Sequence, residues 1–198
     1  MKYSFDTIYE KKLRELAFKS QRILDVGGGH PFQKRLAGYR DILAGKEYVT
    51  VDIDPTTKPN VVGDAHALPF PDASFDAVLH SSVLEHLHSP WIAAREMQRV
   101  LRPGGVMLGI VPWVYPYHAR RGHYADYWRF TQDGIRRLFS DFSHVEIEKM
   151  GGWWMTMGRF LPGYWRIQPV LEPILYGLDR FVSPARSTTP FHMIWAIK

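Results

Sequence analysis

The chain has 198 residues, enough for one domain with a sizeable core, and its 45% hydrophobic and 23% charged content is ordinary for a globular protein. It contains no cysteine, which excludes disulfides, thiolate metal ligands and a cysteine nucleophile. The net charge of +5 falls wholly in residues 101–198, with 12 Lys or Arg against 7 Asp or Glu, whereas residues 1–100 carry 13 of each; this suits an anionic ligand, an acidic membrane surface or a solvated face. Met1 to Lys12 has no apolar signal core, so the cytoplasm is the expected compartment. No run of about 18 uncharged apolar residues offers a membrane span.

Phe5, Ile8, Tyr9, Leu13 and Leu16 recur at helical spacing and predict an amphipathic helix over 5–20. Ile23 to Val26 reads as a first strand, broken by Gly27, Gly28 and Gly29. A helix is expected behind Pro31, with Phe32, Leu36, Ile42 and Leu43 on its apolar face and Gly45 at its end. A strand, a glycine turn and a helix N-terminus together let a ligand approach the backbone of an open α/β sheet. Tyr48 to Pro55 reads as a second strand that finishes in acids. A carboxylate at its tip stands beside the glycine turn, at the height of a ribose; Asp52 suits that place better than Asp54, which Pro55 sets in the departing turn.

Val61 to Ala65 is a short third strand and Phe75 to His80 a buried fourth, ending at Ser81-Ser82. Val83 to Leu87 follows as a short helical turn. Ser89-Pro90 is expected to cap a helix through Val100, with Ile92, Met97, Val100 and Leu101 inward. Arg102 to Gly105 stops it, and Val106 to Val111 is the fifth strand.

These pieces, ILDVGGG, VDID, GDAHALPFPDASFDAV, SSVLEHL and RVLRPGG, stand in the order and spacing of a known family. From Arg22 to Val111 the chain resembles a class I S-adenosylmethionine-dependent methyltransferase of the small type-11 domain group. The departure is Pro31, which occupies the family's usual third glycine. The resemblance implies a Rossmann-like, doubly wound seven-stranded α/β sheet, mostly parallel with one antiparallel strand and helices on both faces. It implies S-adenosylmethionine as cofactor. Gly27, Gly28 and Gly29 would then pass under the methionine, with Asp25 orienting the turn and the amino group. Asp52 and Ile53 would meet the ribose and its surroundings, Asp64 with Ala65 the adenine amino group, Leu68 the adenine ring, and Ser81 the floor near the sulfonium. The competing dinucleotide fingerprint needs a small residue where this chain has Phe32, which disfavours an NAD-dependent oxidoreductase. A non-catalytic module binding S-adenosylmethionine or S-adenosylhomocysteine is the other alternative.

The stretch from Trp113 to Phe130 is too long and too aromatic for an ordinary connection, and it leaves the ligand side of the sheet. Its His118, His123, Tyr124 and Asp126 are the candidate catalytic residues, His118 and His123 having the intrinsic pKa range of a general base; Arg129 is titratable beside them. Thr131 is expected to cap a helix through Phe139. His86 and His88 stand two apart, and His118 and His123 lie in a loop; neither pair matches zinc ligands on one helix face, and no metal is expected.

Val145 to Lys149 and Phe191 to Ile197 read as the sixth and seventh strands, with a long insertion, 152–186, between them. Within it Ile167, Val170, Leu171, Ile174, Leu175, Leu178 and Phe181 make one helical stripe, expected to face the core; Gln168, Glu172 and Asp179 lie opposite, and Pro169 and Pro173 suit its first turns. A homodimer surface, a substrate lid or a peripheral membrane contact are the other uses of such a face. The reading is one methyltransferase domain, 1–198, acting on a small-molecule or glycan- or lipid-linked acceptor at oxygen or nitrogen. No nucleic-acid module is evident. The loop and the insertion are expected to close over one mouth of the pocket.

Overall fold

The computed structural model describes residues 4–32, 34–181 and 188–198; the side chain of Phe5 and residues 182–186 of the expected insertion lie outside that part. Among the described residues the strands are β1 (Arg22–Val26), β2 (Glu47–Asp52), β3 (Val61–Val62), β4 (Phe75–Ser81), β5 (Leu101–Pro112), β6 (His144–Met150) and β7 (Phe191–Ile197). They form one sheet in the order β3-β2-β1-β4-β5-β7-β6. β1 to β5 pair in parallel, and β7 runs antiparallel to both β5 and β6. The expected doubly wound α/β sheet with one antiparallel strand is therefore the fold.

The central strands are near-continuous apolar runs because both faces are covered. Leu24, Val51, Val78, Met107 and Val111 pack with Met97 and Val100 of α2 (Pro90–Val100) and Ile135 of α3 (Gln132–Leu138). On the other face Ile23, Leu79, Leu108 and Trp195 pack with Tyr9, Leu13 and Leu16 of α1 (Ser4–Lys19). Leu13 and Leu16 are fully buried, each contributing about 1.5–3 kcal/mol relative to exposure.

Local expectations needed correction at five places. Behind the glycine turn stands a 3-10 helix, Lys34–Leu43, kinked at Tyr39, rather than an α-helix opening at Pro31. Phe32 turns the chain in a left-handed conformation (φ 59°) and stacks on Tyr48 at 4.6 Å, so the helix begins later. β5 starts at Leu101, not Val106: Arg102 to Gly105 end the helix but continue as a bulged strand, with Gly104 at φ 76° absorbing the shift in register beside β4. Ser89 makes no side-chain cap on α2; its hydroxyl meets His88 Nδ1 at 2.8 Å. Thr131, by contrast, caps α3 by accepting from the Gly134 amide at 3.0 Å.

The remaining two corrections concern the insertion, which folds as α4 (Trp153–Gly158) and α5 (Tyr164–Asp179). The apolar stripe of α5 faces solvent: Val170 is 73% and Phe181, just beyond the helix, 89% exposed, with Ile167, Ile174 and Leu178 also exposed. Only Leu175, and Leu171 in part, pack inward, beside Met155 and Tyr164. The inward side is polar. Buried Glu172 accepts from the Tyr164 hydroxyl (2.7 Å), Gln168 Nε2 (3.0 Å) and Arg159 (3.2 Å). Asp179 accepts the Gly152, Trp154 and Met155 amides and so caps α4 from a distance. Pro169 and Pro173 lie inside α5, on its exposed side, where carbonyls deprived of a partner can reach water.

His80 is fully buried in β4, with neither ring nitrogen hydrogen-bonded, and its ring fills the space a Cβ at Gly109 would need. Burial lowers its pKa to about 4. The stability it supports is full above the unfolded value near 6.5 and is lost as pH falls toward 4, about 3 kcal/mol in all. His80→Leu should flatten that part of the pH profile relative to wild type. Urea unfolding at pH 7 and pH 4.5 measures this; parallel losses in both proteins would count against the assignment.

Candidate active site

The sheet order reverses between β1 and β4, so the turn after β1 opens into the crevice at the carboxyl edge. Gly27 (φ 71°) and Gly29 (φ 57°) make the turn, and the Gly27 amide donates to Val51 O at 2.8 Å. The Asp25 carboxylate is tucked beneath, where a Cβ at Gly28 would overlap it, and it accepts from the Tyr48 hydroxyl. Burial first, then the Asp25 charge, pushes the Tyr48 hydroxyl far above the usual tyrosine range.

Asp52 ends β2, and its Oδ1 accepts the Asp54 amide at 3.0 Å. Asp54 caps the following turn through the Thr56 amide (2.9 Å) and hydroxyl (2.6 Å). Those bonds hold its carboxyl below the usual range. Ile53, between them, is 66% exposed. Asp64 accepts from the His66 amide (2.9 Å) and ring (2.7 Å), and the His66 ring stacks on His88 at 4.2 Å. Burial works against the Asp64 charge, but those bonds outweigh it and lower the pKa. Ala65 and Leu68 are buried in the core beside this turn, and Ser81 is exposed at the tip of β4.

The loop from Trp113 to Phe130 is built around one ion pair. Arg129 grips both Asp126 oxygens (2.6 and 2.7 Å) and donates to Tyr115 O (3.0 Å) and Pro116 O (2.9 Å). Asp126 also accepts the His118 amide at 2.8 Å. Burial opposes the Asp126 charge, yet the bonds from Arg129 and His118 lower its pKa to about 2. Asp126 is thus committed to holding the loop. The Tyr127 amide and the Trp128 ring donate to Glu85 O and Leu87 O, each at 2.8 Å, tying the loop to the turn after β4. At its tip, Arg120 and Tyr124 form a bridge, and His123 Nδ1 lies 3.4 Å from Asp54 Oδ2. The loop therefore reaches from the end of β5 to the end of β2. At its start, Arg159 of the insertion stacks over Tyr115 (5.5 Å) and Phe191 (5.3 Å). That contact puts the insertion on the same sheet edge as Asp52 but toward the other end of the strand order.

Under the loop lies a group that the sequence kept in separate pairs. His86 and His118 approach with ring centroids 4.9 Å apart, Tyr124 covers His86 at 4.3 Å, and both imidazoles face Glu85. Glu85 is 0% exposed, and burial raises its carboxyl to about 7. Burial likewise lowers the His86 pKa. Sequence reasoning placed Glu85 only in a short helical turn. The available signal was an acid inside the apolar run SSVLEHL, followed at once by a histidine.

An open sheet of this order, with its glycine turn beside the acid-tipped β2, is the fold of class I S-adenosylmethionine-dependent methyltransferases. Residues 24–109 match the family described as methyltransferase domain. An uncharacterized methyltransferase of Mycolicibacterium gilvum is 34% identical over 131 residues, 58% of this chain and 50% of that protein. The chain spans about half the length of the curated relatives it matches. An S-adenosylmethionine-dependent methyltransferase from Archaeoglobus fulgidus superposes with a TM-score of 0.59 at 17% identity, covering 98% of this chain and 94% of that one. Phosphoethanolamine N-methyltransferase 2 of Haemonchus contortus, solved with S-adenosylmethionine, gives 0.58 at 18% identity, covering 91% and 49%. At these identities the structural likeness speaks for the fold.

Arg129→Leu should free the loop while leaving the sheet folded. Removing one partner of a largely buried pair costs about 3–5 kcal/mol, less here because Arg129 keeps some solvent contact. Hydrogen exchange should quicken across residues 115–128 with little change in β1 or β4. Unchanged protection in the loop would show that the pair does not hold it.

Proposed function

We propose that the protein transfers a methyl group from S-adenosylmethionine to a small-molecule or glycan- or lipid-linked acceptor, at oxygen or nitrogen. The observation that carries this is the cradle at the carboxyl edge, spanned by the loop whose His123 reaches Asp54. The residues present fit the cofactor. The glycine turn exposes backbone without side chains; Asp52, engaged through Oδ1 with its own turn, has Oδ2 to offer ribose hydroxyls; exposed Ile53 offers an apolar surface beside the ribose. Asp64, oriented by His66, would meet the adenine amino group. Asp25 supports the turn from below, and Ser81 lines the floor.

The bound cofactor supplies an electrophilic methyl, so the chain's work is to align the acceptor and exclude water. The loop and the insertion provide the roof, meeting at Arg159. A hydroxyl acceptor has to lose a proton. His123, exposed at the loop tip, is open to take it, while His118 is turned inward and Tyr124 is packed on His86.

S-adenosylhomocysteine should bind and raise the unfolding temperature, whereas NAD should do neither. Tighter binding of NAD in calorimetry would reject the reading; nucleoside binding with no methylation of any acceptor would favour a non-catalytic binding module. Asp52→Ala should weaken S-adenosylhomocysteine roughly 10- to 150-fold, by loss of charge-assisted hydrogen bonds worth about 1.5–3 kcal/mol. Asp54→Ala should change that affinity little. Equal losses at the two positions would mean that Asp52 does not hold the ribose.

Once an acceptor is in hand, His123→Ala should lower kcat far more than it lowers donor affinity. Equal effects on the two would remove His123 from proton transfer.

A further inference from the structure

We propose that Glu85, His86 and His118 bind a divalent transition-metal cation of the zinc type. One donor atom from each lies within 4.8 Å of the other two, the one such group of three found among the described residues. Glu85 Oε1 stands 3.9 Å from His86 Nε2 and 3.8 Å from His118 Nε2. Donors held at about 2.0–2.2 Å in a tetrahedron stand roughly 3.3–3.6 Å apart, so the Glu85 oxygen must close on each imidazole by about 0.2–0.6 Å, and the two imidazoles, whose donors lie within 4.8 Å, must close on each other by up to about 1.5 Å.

Two independent features point the three groups at a cation. Glu85 is wholly buried, and neither of its oxygens has a partner in good hydrogen-bond geometry; the Ser82 hydroxyl and its own amide are near but do not close on it. A buried carboxylate without a counter-charge costs several kcal/mol, and Arg129 is already committed to Asp126. The second feature is the tautomer of the imidazoles. His86 Nδ1 faces Ala125 O at 2.6 Å, and His118 Nδ1 faces Pro116 O (3.1 Å) and Asp126 Oδ2 (3.2 Å). These oxygens only accept, so each Nδ1 carries the hydrogen and each Nε2 turns a lone pair toward Glu85. Carbonyl and carboxylate partners of this kind orient metal-bound histidines.

Two imidazoles and one carboxylate favour zinc, iron, cobalt or nickel over calcium or magnesium, which prefer all-oxygen shells. Three protein ligands leave a position open, and the partial exposure of His86 and His118 gives a way in. On the methyl-transfer reading above, that position would hold an oxygen of the acceptor; cation binding itself does not depend on that reading.

The test uses untagged full-length protein, stripped with chelator, and no methyl donor. Titrated Zn2+ should bind with one-to-one stoichiometry, and Co2+ should give the visible absorption of a low-coordinate nitrogen–oxygen site. Glu85→Gln and His118→Ala should each weaken Zn2+ at least tenfold. His66→Ala and His88→Ala, which disrupt the separate stacked pair, should leave it within about twofold. His118 sits on the loop, so its variant keeps a reading even where a change at buried Glu85 perturbs folding; thermal unfolding without metal verifies the fold of each. Absence of stoichiometric binding by the wild type, or unchanged binding in His118→Ala, would overturn the proposal. Failure of S-adenosylhomocysteine to bind would leave it standing.

Discussion

Parallel pairing of β1 with both β2 and β4 is the constraint on which the rest of the molecule depends. It aligns Val26 with Val51 on one side and His80 on the other, so three carboxyl ends finish on one edge. Connections then leave that edge together, and residues as far apart as Asp54 and His123, 69 positions along the chain, become neighbours. The glycine turn, the Asp52 tip and Ser81 owe their proximity to this register. Sliding one strand by a residue would turn its buried set to the opposite face.

The second organising element is the Arg129–Asp126 pair. A loop of this length over a crevice carries many backbone polar groups that need partners. Arg129 supplies several donors at once, and Glu85 O and Leu87 O accept from the far side. The same closure buries the Glu85 carboxylate against two imidazoles. Holding the loop and assembling a charged group beneath it are thus one structural event.

The insertion follows a different rule. In α5 the inward contacts are polar and satisfied, whereas most of the apolar stripe is exposed. Glu172 anchors Arg159, and Arg159 in turn stacks on Tyr115 and Phe191, which couples the insertion to the loop and to β7. No described helix is long and apolar enough to cross a membrane.

The sequence by itself determined the sheet, because buried parallel strands need apolar runs and the turns between them need glycine, proline or acid at given places. Those are local requirements, so the strand from Phe191 to Ile197 and the cap at Thr131 were legible in the chain. Asp52 and Asp54 were separable for the same reason: Pro55 sets the departing turn. What lay outside local pattern was decided by tertiary structure. Periodicity marks a stripe on α5 but cannot say whether the polar side finds better partners inside, as Glu172 and Asp179 do. Residue order gives no sign that Phe32 would adopt a left-handed conformation to reach Tyr48, shortening the helix behind it. Spacing set His86 apart from His118; only a loop folded back on the end of β4 brings both rings onto Glu85, because side-chain chemistry depends on distance in space.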